Sequence, residues 1–496
     1  MKKPTSHTLQ QIHIRTKPGL NRLIAEYDAK KNAYAEEEAR FQASLLRRCP
    51  VNLWPGGAHK TACPRPILIF REHQNQLEEL HEALTAGITD IVERWWTDPE
   101  ARFPERMPLE KQEEDLLKWI DEQVPGNEAM RYRERRGSWR PDFLVEDAIG
   151  EDGLTMERFR ITEINARFSF NAFILGTLAH EGLRDMGVGG NGLELATNPE
   201  RLLNAIIGLF DPTRPLHLLK GEEKGMDIHL FLHVIQQRFG LTARLITPSQ
   251  LRLLLPPNNN GKYKLCCVVE GEDFAALETS SGELVEEIHQ VGLELHQSEL
   301  LALDPEMLRQ ISVRCFNDMR SILLTHDKRM LGILKQELKP LVARGVITHA
   351  QAQILDHGIA DTILPGSVDL QRLIALCREI PESRDQFLLK PIRSGKGAGI
   401  VFGDEVEPEA WVSALQLQLN PQIVAGVSCV IQRRITPRLY GLILNSSGVR
   451  VQYPLIGTYF VVHGRLLGLG GWRSSPDKIC AVSHGGSWIC SVMYEN

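Results

Sequence analysis

The sequence predicts a mixed α/β chain, between α/β and α+β in class, built from several packed units. Three observations point there. The chain has 496 residues, more than a single hydrophobic core usually serves. Residues 215–275 alternate strand-like and helix-like runs, the pattern of a small parallel sheet. Two longer strand patterns, "GSWRPDFLVED" and "ERFRITEINARF", flank a Gly- and Asp-containing turn.

From the N-terminus, residues 20–48 are rich in Ala, Glu, Leu and Arg and predict one or two amphipathic helices. "CPVNLWPGGAHKTACPRP" reads as a loop punctuated by Pro and Gly. A short apolar run, "PILIF", precedes a helical stripe of Leu77, Leu80, Leu84, Ile88 and Ile91. "ERMPLEKQEEDLLKWIDEQ" predicts a further helix. From residue 137 the two strand patterns follow, then a helix over "FILGTLAHEGLRDMG". Next, "PLHLL", "LTARLI" and "KLCCVV" read as strands of a Rossmann-like sheet, with "GMDIHLFLHVIQQRFG" as a helix closed by Gly240. Residues 295–380 are mainly helical in pattern. Residues 386–403 and 428–472 return to strands, two of them joined by the turn "NSSG".

The composition excludes several classes. A formal net charge of −6 without a long basic run argues against nucleic-acid binding by phosphate neutralisation. No apolar run reaches the roughly 18 residues that a membrane span needs, and "MKKPTSHTLQQIHIR" lacks the apolar stretch of a signal peptide. The nine cysteines are scattered without a CxxC, which suggests reduced thiols in the cytoplasm rather than a structural zinc or iron–sulfur site.

Several motifs have ordinary readings. "MGVGGNG" spells GxGxxG but follows a helix instead of a strand, so it reads as a helix C-cap and loop. His229 and His233 in "HLFLH" lack the Glu of a zinc-protease helix and read as ordinary helix histidines. No Walker A sequence or GxSxG elbow is present.

Other stretches carry chemistry. In "FRITEINARF", strand alternation places Phe159, Ile161, Glu163 and Asn165 on one face, apolar first and polar at the end. Arg140 and Asp142 in "WRPDF" repeat that two-residue spacing. Adjacent strands could pool Asp142, Glu163 and Asn165 as hard oxygen ligands for Mg²⁺, with Arg140 beside them, or form a surface polar cluster with an Arg–Asp pair. "FLLKPIRSGKGAGIVFG" is a strand ending in Lys390, then a loop with Gly395, Lys396, Gly397 and Gly399, then a second strand. Such a loop can bring backbone N–H groups to phosphates, or be a plain β-hairpin. "VIQRRI" places Gln432 in a strand whose backbone could meet an adenine edge.

Together these pieces resemble the ATP-grasp superfamily. More specifically, they are similar to its circularly permuted branch typified by glutathionylspermidine synthase, and to a fungal group of that type loosely associated with specialised metabolism. The motif order carries the resemblance: Arg140-x-Asp142, then Glu163-x-Asn165, and only later Lys328 in "HDKRMLGIL" and Lys390 in "LLKP". The family has SNK where this chain has HDK, with a shorter gap to the second lysine. The resemblance covers residues 137–496 in patches.

It implies a circularly permuted ATP-grasp fold. The expected layout is a helical N-terminal region (1–136), a first part of the core with the metal strands (137–205), a Rossmann-like pre-ATP-grasp subdomain (206–325), and a nucleotide-binding lobe with C-terminal strands (326–496). It implies ATP and Mg²⁺ as cofactors and small-molecule carboxylate and amine substrates, with no nucleic acid or membrane partner. The metal ligands would be Asp142, Glu163 and Asn165. Lys328, Lys390, Lys396, Gln432 and the glycines would hold ATP, and Arg140 would steady the transferring phosphoryl group. Arg473 and Arg167 are candidates for substrate binding, Arg473 being otherwise an ordinary surface arginine. The implied reaction is amide ligation through an acyl phosphate. The alternatives are an ATP-dependent phosphotransferase on the same scaffold, or an inactive nucleotide-binding protein.

Overall fold

The computed structural model describes residues 8–14, 22–23, 31–150, 153–190, 192–223, 225, 227–255, 263–269 and 277–495. Strand β1 (Gln10–His13) precedes helix α1 (Lys31–Arg48), which buries Phe41 and Leu45 one turn apart. Residues 20–21 and 24–30 of that helical pattern lie outside the described residues, and Arg22–Leu23 within it is not helical but pairs antiparallel with β1. Strand β2 (Ala62–Leu68) starts earlier than "PILIF" suggests. Its pairing with the C-terminal strand shifts register between Ile489 and Ser491. Pro64 and Pro66 fall in that irregular step, where no ladder donor is missed. Helix α2 (Arg71–Glu93) buries Leu77, Leu80, Leu84, Ile88 and Ile91 along one stripe.

Strands β3 (Ser138–Ile149) and β4 (Thr155–Asn165) form the long hairpin, and helix α3 (Phe173–Met186) follows. Gly187 caps α3 at φ 112°, the left-handed end that "MGVGGNG" predicts. Then come β5 (Leu216–Lys220), α4 (Asp227–Phe239), β6 (Ala243–Ile246) and β7 (Val291–Glu294). Helix α5 (Arg329–Ala343) leads to β8 (Phe387–Pro391), β9 (Cys429–Arg433), β10 (Ile456–Val462), β11 (Arg465–Ser474) and β12 (Ser487–Tyr494).

Both ends of the chain build the main sheet. Its nine strands run in the order Arg22–Leu23, β1, β2, β12, β11, β10, β3, β4, with Leu193–Leu195 also paired to β12. The β2–β12 pair is parallel. The region before residue 137 is therefore not purely helical: it gives strands to the same sheet as the C-terminus. Aromatic rings fill the core beneath β3, β4 and β11. Phe143 packs 4.6 Å from Phe159 and 5.5 Å from Trp472 between ring centroids, in the offset and edge contacts that such rings prefer.

Strands β7, β5 and β6 form a parallel three-stranded sheet. "KLCCVV" does not join it. Lys264–Val268 instead pairs antiparallel with Leu251–Leu254 and Leu284–Glu287 in a separate four-stranded sheet. The connection from Leu254 to Lys264 is too short for the crossover of about a dozen residues that a parallel neighbour needs. A further sheet has the order Thr362–Ile363, β9, β8, Val401–Phe402. No helix among the described residues is long and apolar enough to cross a membrane.

One buried amide latches the start of β3 to the end of β4. Asn317 is 1% exposed. Its Oδ1 accepts from the Ser138 N–H at 2.9 Å, and its Nδ2 donates to the carbonyls of Ser138 and Ala166, both at 3.1 Å. Gly137, at φ 73°, makes room: a Cβ there would stand 2.3 Å from Asn317 Oδ1. Asn317→Ala should destabilise the protein by about 2–4 kcal/mol, because it leaves buried backbone groups unpaired. A denaturant midpoint equal to wild type would refute the latch.

Candidate active site

A cavity of about 1540 Å³ lies over the polar end of the β3–β4 hairpin, the loop after β8, and β11. The register of the hairpin sets Arg140 opposite Asn165 and Asp142 opposite Glu163. Directly opposed residues project on the same side of an antiparallel pair, so the four side chains share a face and all four line the cavity.

That face is not the one which plain alternation predicts. Phe143 pairs with Ile161 while Asp142 pairs with Glu163, so Thr162 is an extra residue in β4. The bulge breaks the alternation. Phe159 and Ile161 turn into the aromatic core, joined after the bulge by Ile164, and Glu163 and Asn165 turn to the opposite side, into the cavity. Thr162 also works through its carbonyl, which accepts from Lys390 Nζ and Gln432 Nε2, each at 3.2 Å.

The site is densely charged. Asp142 accepts from Arg473 at 2.7 Å, from Asn165 Nδ2 at 3.2 Å and from Arg140 at 3.3 Å, all on Oδ2. Its Oδ1 is buried and accepts no hydrogen bond, although Arg140 Nε stands 3.3 Å from it as an ion-pair partner. Burial alone would raise the Glu163 carboxyl, but Lys328, Lys390, Arg473 and Arg140 outweigh it and hold it down at about 2. Lys328 Nζ stands 3.7 Å from Glu163. Burial pushes the Lys390 ammonium down to about 8, against the pull of Glu163 and with the push of Lys328.

Lys328 and Gly399 do not line the cavity. Lys328 sits behind the wall, immediately before α5. Its N–H donates to the Ile392 carbonyl at 3.2 Å, and its Nζ donates to the Ser394 carbonyl. It thereby ties α5 to the strand of Lys390. Asp327 beside it is engaged by Arg329 at 2.7 Å.

In the glycine loop, Gly397 and Gly399 take φ 76° and 75°, and Lys396 takes φ 57°. A Cβ on Gly397 would overlap Ile479 Cγ2 at 2.2 Å, so the loop is closed from above by the segment after β11. Lys396 is paired with Glu223 at 2.6 Å. Gln432 lies between two strands, opposite Leu388 on β8 and Thr362 on the other side. Its side-chain amide, rather than an open backbone edge, is what meets the site: Oε1 accepts from Lys390 at 3.2 Å. Arg167 Nη2 donates to the Arg393 carbonyl at 2.7 Å and its Nε is unpartnered. Arg473 is a structural partner of Asp142 first, with a free Nε of its own.

Oxygen donors from Asp142, Glu163 and Asn165 meet on one face, and one carboxylate oxygen among them has no donor. That set suits a hard divalent ion such as Mg²⁺. Residues that sequence reasoning missed are Thr162, Ile479 and a far wall of Glu223, Asp227 and Glu294. Only Glu294 left a signal, a lone acid inside the apolar run "VGLEL".

Removing the partner of a buried ion exposes how much the pair supports. Arg473→Met should cost about 1–3 kcal/mol, since its end is partly solvated, and adding Asp142→Asn should recover part of that loss. Strictly additive losses in the denaturation midpoints would show that the contact carries no coupling.

Comparisons with known proteins place the chain in a family. Residues 80–324 match the model of the AnkG N-terminal domain. The ATP-grasp enzyme ankG of Aspergillus thermomutatus is 34% identical over 493 residues, which span 98% of this chain and 100% of that protein. A glutathione synthetase-like effector (GSS30) from Globodera pallida, solved in its apo form, superposes with a TM-score of 0.52 at 12% identity, covering 94% of this chain and 98% of the other. That likeness concerns the fold. Identity across nearly the full length settles the family: the chain belongs to the AnkG family of ATP-grasp enzymes.

Proposed function

We infer that the protein is an ATP-dependent ligase which joins a carboxylate to an amine through an acyl phosphate. The observation that carries the reading is the opposed Asp142–Glu163 pair ringed by Arg140, Arg473, Lys328 and Lys390. Two carboxylates that can share a divalent ion, set among an excess of cations, complement a metal-bound polyphosphate. Circular permutation of the fold belongs to the same proposal, supported by the order of the motifs along the chain.

In this reading Asp142, Glu163 and Asn165 hold Mg²⁺, which when bound offsets phosphate charge. Lys390 neutralises phosphates from the floor, Lys328 supports it from behind the wall through its charge and its hold on the Ser394 carbonyl, and the loop from Gly395 to Gly399 excludes water. A substrate carboxylate oxygen attacks the γ-phosphorus; the new O–P bond forms as the bond to the β-phosphate oxygen breaks and ADP leaves. Arg140 steadies the charge on the transferring group. The amine nitrogen then attacks the acyl carbon, the C–O bond to phosphate breaks, and the departing phosphate accepts the amine proton. Arg167, with its buried free Nε, suits the carboxylate substrate.

Glu163→Gln should lower amine-dependent phosphate release from ATP by about 100-fold or more while the fold survives. Near-wild-type turnover by a folded variant would sink the metal role. Release of phosphate that needs no amine, with a stable phosphoester product, would favour a phosphotransferase.

Lys390 gives a pH test. With its ammonium held at about 8 in the folded protein, ADP affinity should fall severalfold between about pH 7 and about pH 9. The sign separates this from unfolding. An unfolded lysine titrates near 10.4, so between about 8 and about 10.4 the unfolded chain holds more protons, and this group adds stability as pH rises. Lys390→Met should bind ADP weakly at both pH values and lose the dependence. Titration calorimetry that finds the same pH slope in the variant would refute the assignment.

A further inference from the structure

The far wall of the cavity is acidic. Glu223 on the loop after β5, Asp227 in the first turn of α4, and Glu294 at the end of β7 all face it. Two of the three have protein partners. Asp227 accepts from the N–H groups of Ile174 and Leu175 at 3.0 and 2.8 Å, at the start of α3. Glu223 is held by Lys396 at 2.6 Å and by His296 Nε2 at 3.2 Å.

Glu294 is different. It is 4% exposed, and its Oε2 is buried with no hydrogen-bond partner. The backbone of Gly225 leaves the space it occupies, since a Cβ there would stand 1.8 Å from Glu294 Oε1. Lys220, whose charge acts on Glu294, donates to the carbonyls of Gly221 and Glu223. Burial, Asp227 and Glu223 together push the Glu294 carboxyl up to about 8, and burial raises Asp227 to about 7. Lys220 and Lys396 pull the other way, but no hydrogen bond among the described residues reaches Oε2, and a carboxylate oxygen withdrawn from water without a donor costs free energy. A ligand that brings N–H donors and positive charge offsets it.

We propose that Glu294, with Asp227 and Glu223, binds an ammonium group of the nucleophilic substrate, which makes that substrate a cationic amine. This rests on the ligase reading and names the class of its amine. The two walls then sort the reactants by charge. Carboxylate and polyphosphate go to the arginine and lysine side, and the amine goes to the acids. An ammonium on the wrong side would meet Arg140, Arg473 and Lys390.

The test uses the full-length protein loaded with magnesium and a non-hydrolysable ATP analogue, titrated with 1,4-diaminobutane as a dicationic probe. Wild type should bind the diamine. Glu294→Gln should bind it about tenfold or more weakly, the loss of one charged hydrogen bond. Its affinity for the ATP analogue should be unchanged and its melting temperature equal or higher, because without a ligand this carboxyl, pushed up to about 8, is already largely protonated and the amide replaces it closely. Equal diamine affinity in both proteins, or no diamine binding by wild type at millimolar concentration, would overturn the proposal and leave the ligase reading untouched. Glu294-dependent diamine binding by a protein that binds no nucleotide would sink the ligase reading and leave the acidic site standing. Should Glu294→Gln not fold, Glu223→Gln is judged by the same criterion.

Discussion

Two carboxylates stand opposite each other across one strand pair, and much of the surrounding structure serves to hold that contact. Like charges directly opposed in a sheet repel. Asp142 and Glu163 tolerate it because Arg140, Arg473, Lys328 and Lys390 converge on them from four separate segments. The cations outnumber the acids, so the site carries surplus positive charge at the floor of a deep cavity. A buried surplus of that sign is costly unless an anion answers it, and a polyphosphate answers it better than a single carboxylate.

The architecture explains how these groups come together. Arg473 on β11 reaches Asp142 on β3 across the intervening strand β10. That requires the C-terminal strands to lie in the same sheet as the hairpin, an arrangement which the N-terminal strands β1 and β2 complete on the other side of β12. The aromatic packing of Phe143, Phe159 and Trp472 fixes the spacing from below. A five-residue π-helix at Ser321–Thr325, wholly buried, leads into the turn of Lys328. Such irregular turns often mark functional positions, and here it delivers the lysine to the strand of Lys390.

Much of the site was legible in the sequence because its chemistry is written in short motifs on strands. Arg140, Asp142, Glu163, Asn165 and Lys390 were picked from spacing and order, and they meet around one cavity. The orientation of Glu163 was not legible. Period-two alternation assumes an unbroken ladder, and Thr162 breaks it with nothing in its own side chain to announce a bulge. Strand β2 was missed for a related reason. Pro64 and Pro66 normally end a strand, and they are tolerated here only because the neighbouring register slips. The partner of "KLCCVV" was beyond reach as well, since an apolar run looks the same in a parallel or an antiparallel sheet. The acidic wall shows the limit of motif reading: Glu223 and Asp227 lie on one stretch and Glu294 about seventy residues on, and only the tertiary fold brings them together.

The Lys396–Glu223 contact joins the two halves of the cavity, and magnitudes decide what it does. Lys396 is half exposed, so its pair with Glu223 contributes about 1 kcal/mol or less. A charge-assisted bond to a phosphate in the drier cavity floor is worth about 1.5–3 kcal/mol. On the ligase reading, the exchange would therefore be downhill with a polyphosphate bound. The loop need not refold to make it, because Gly397 and Gly399 already hold left-handed turns. Lys396 leaving Glu223 would return one negative charge to the acidic wall at the moment the cationic wall is neutralised. On the ligase reading, the same ion pair would make the amine side more attractive to a cation when nucleotide is bound.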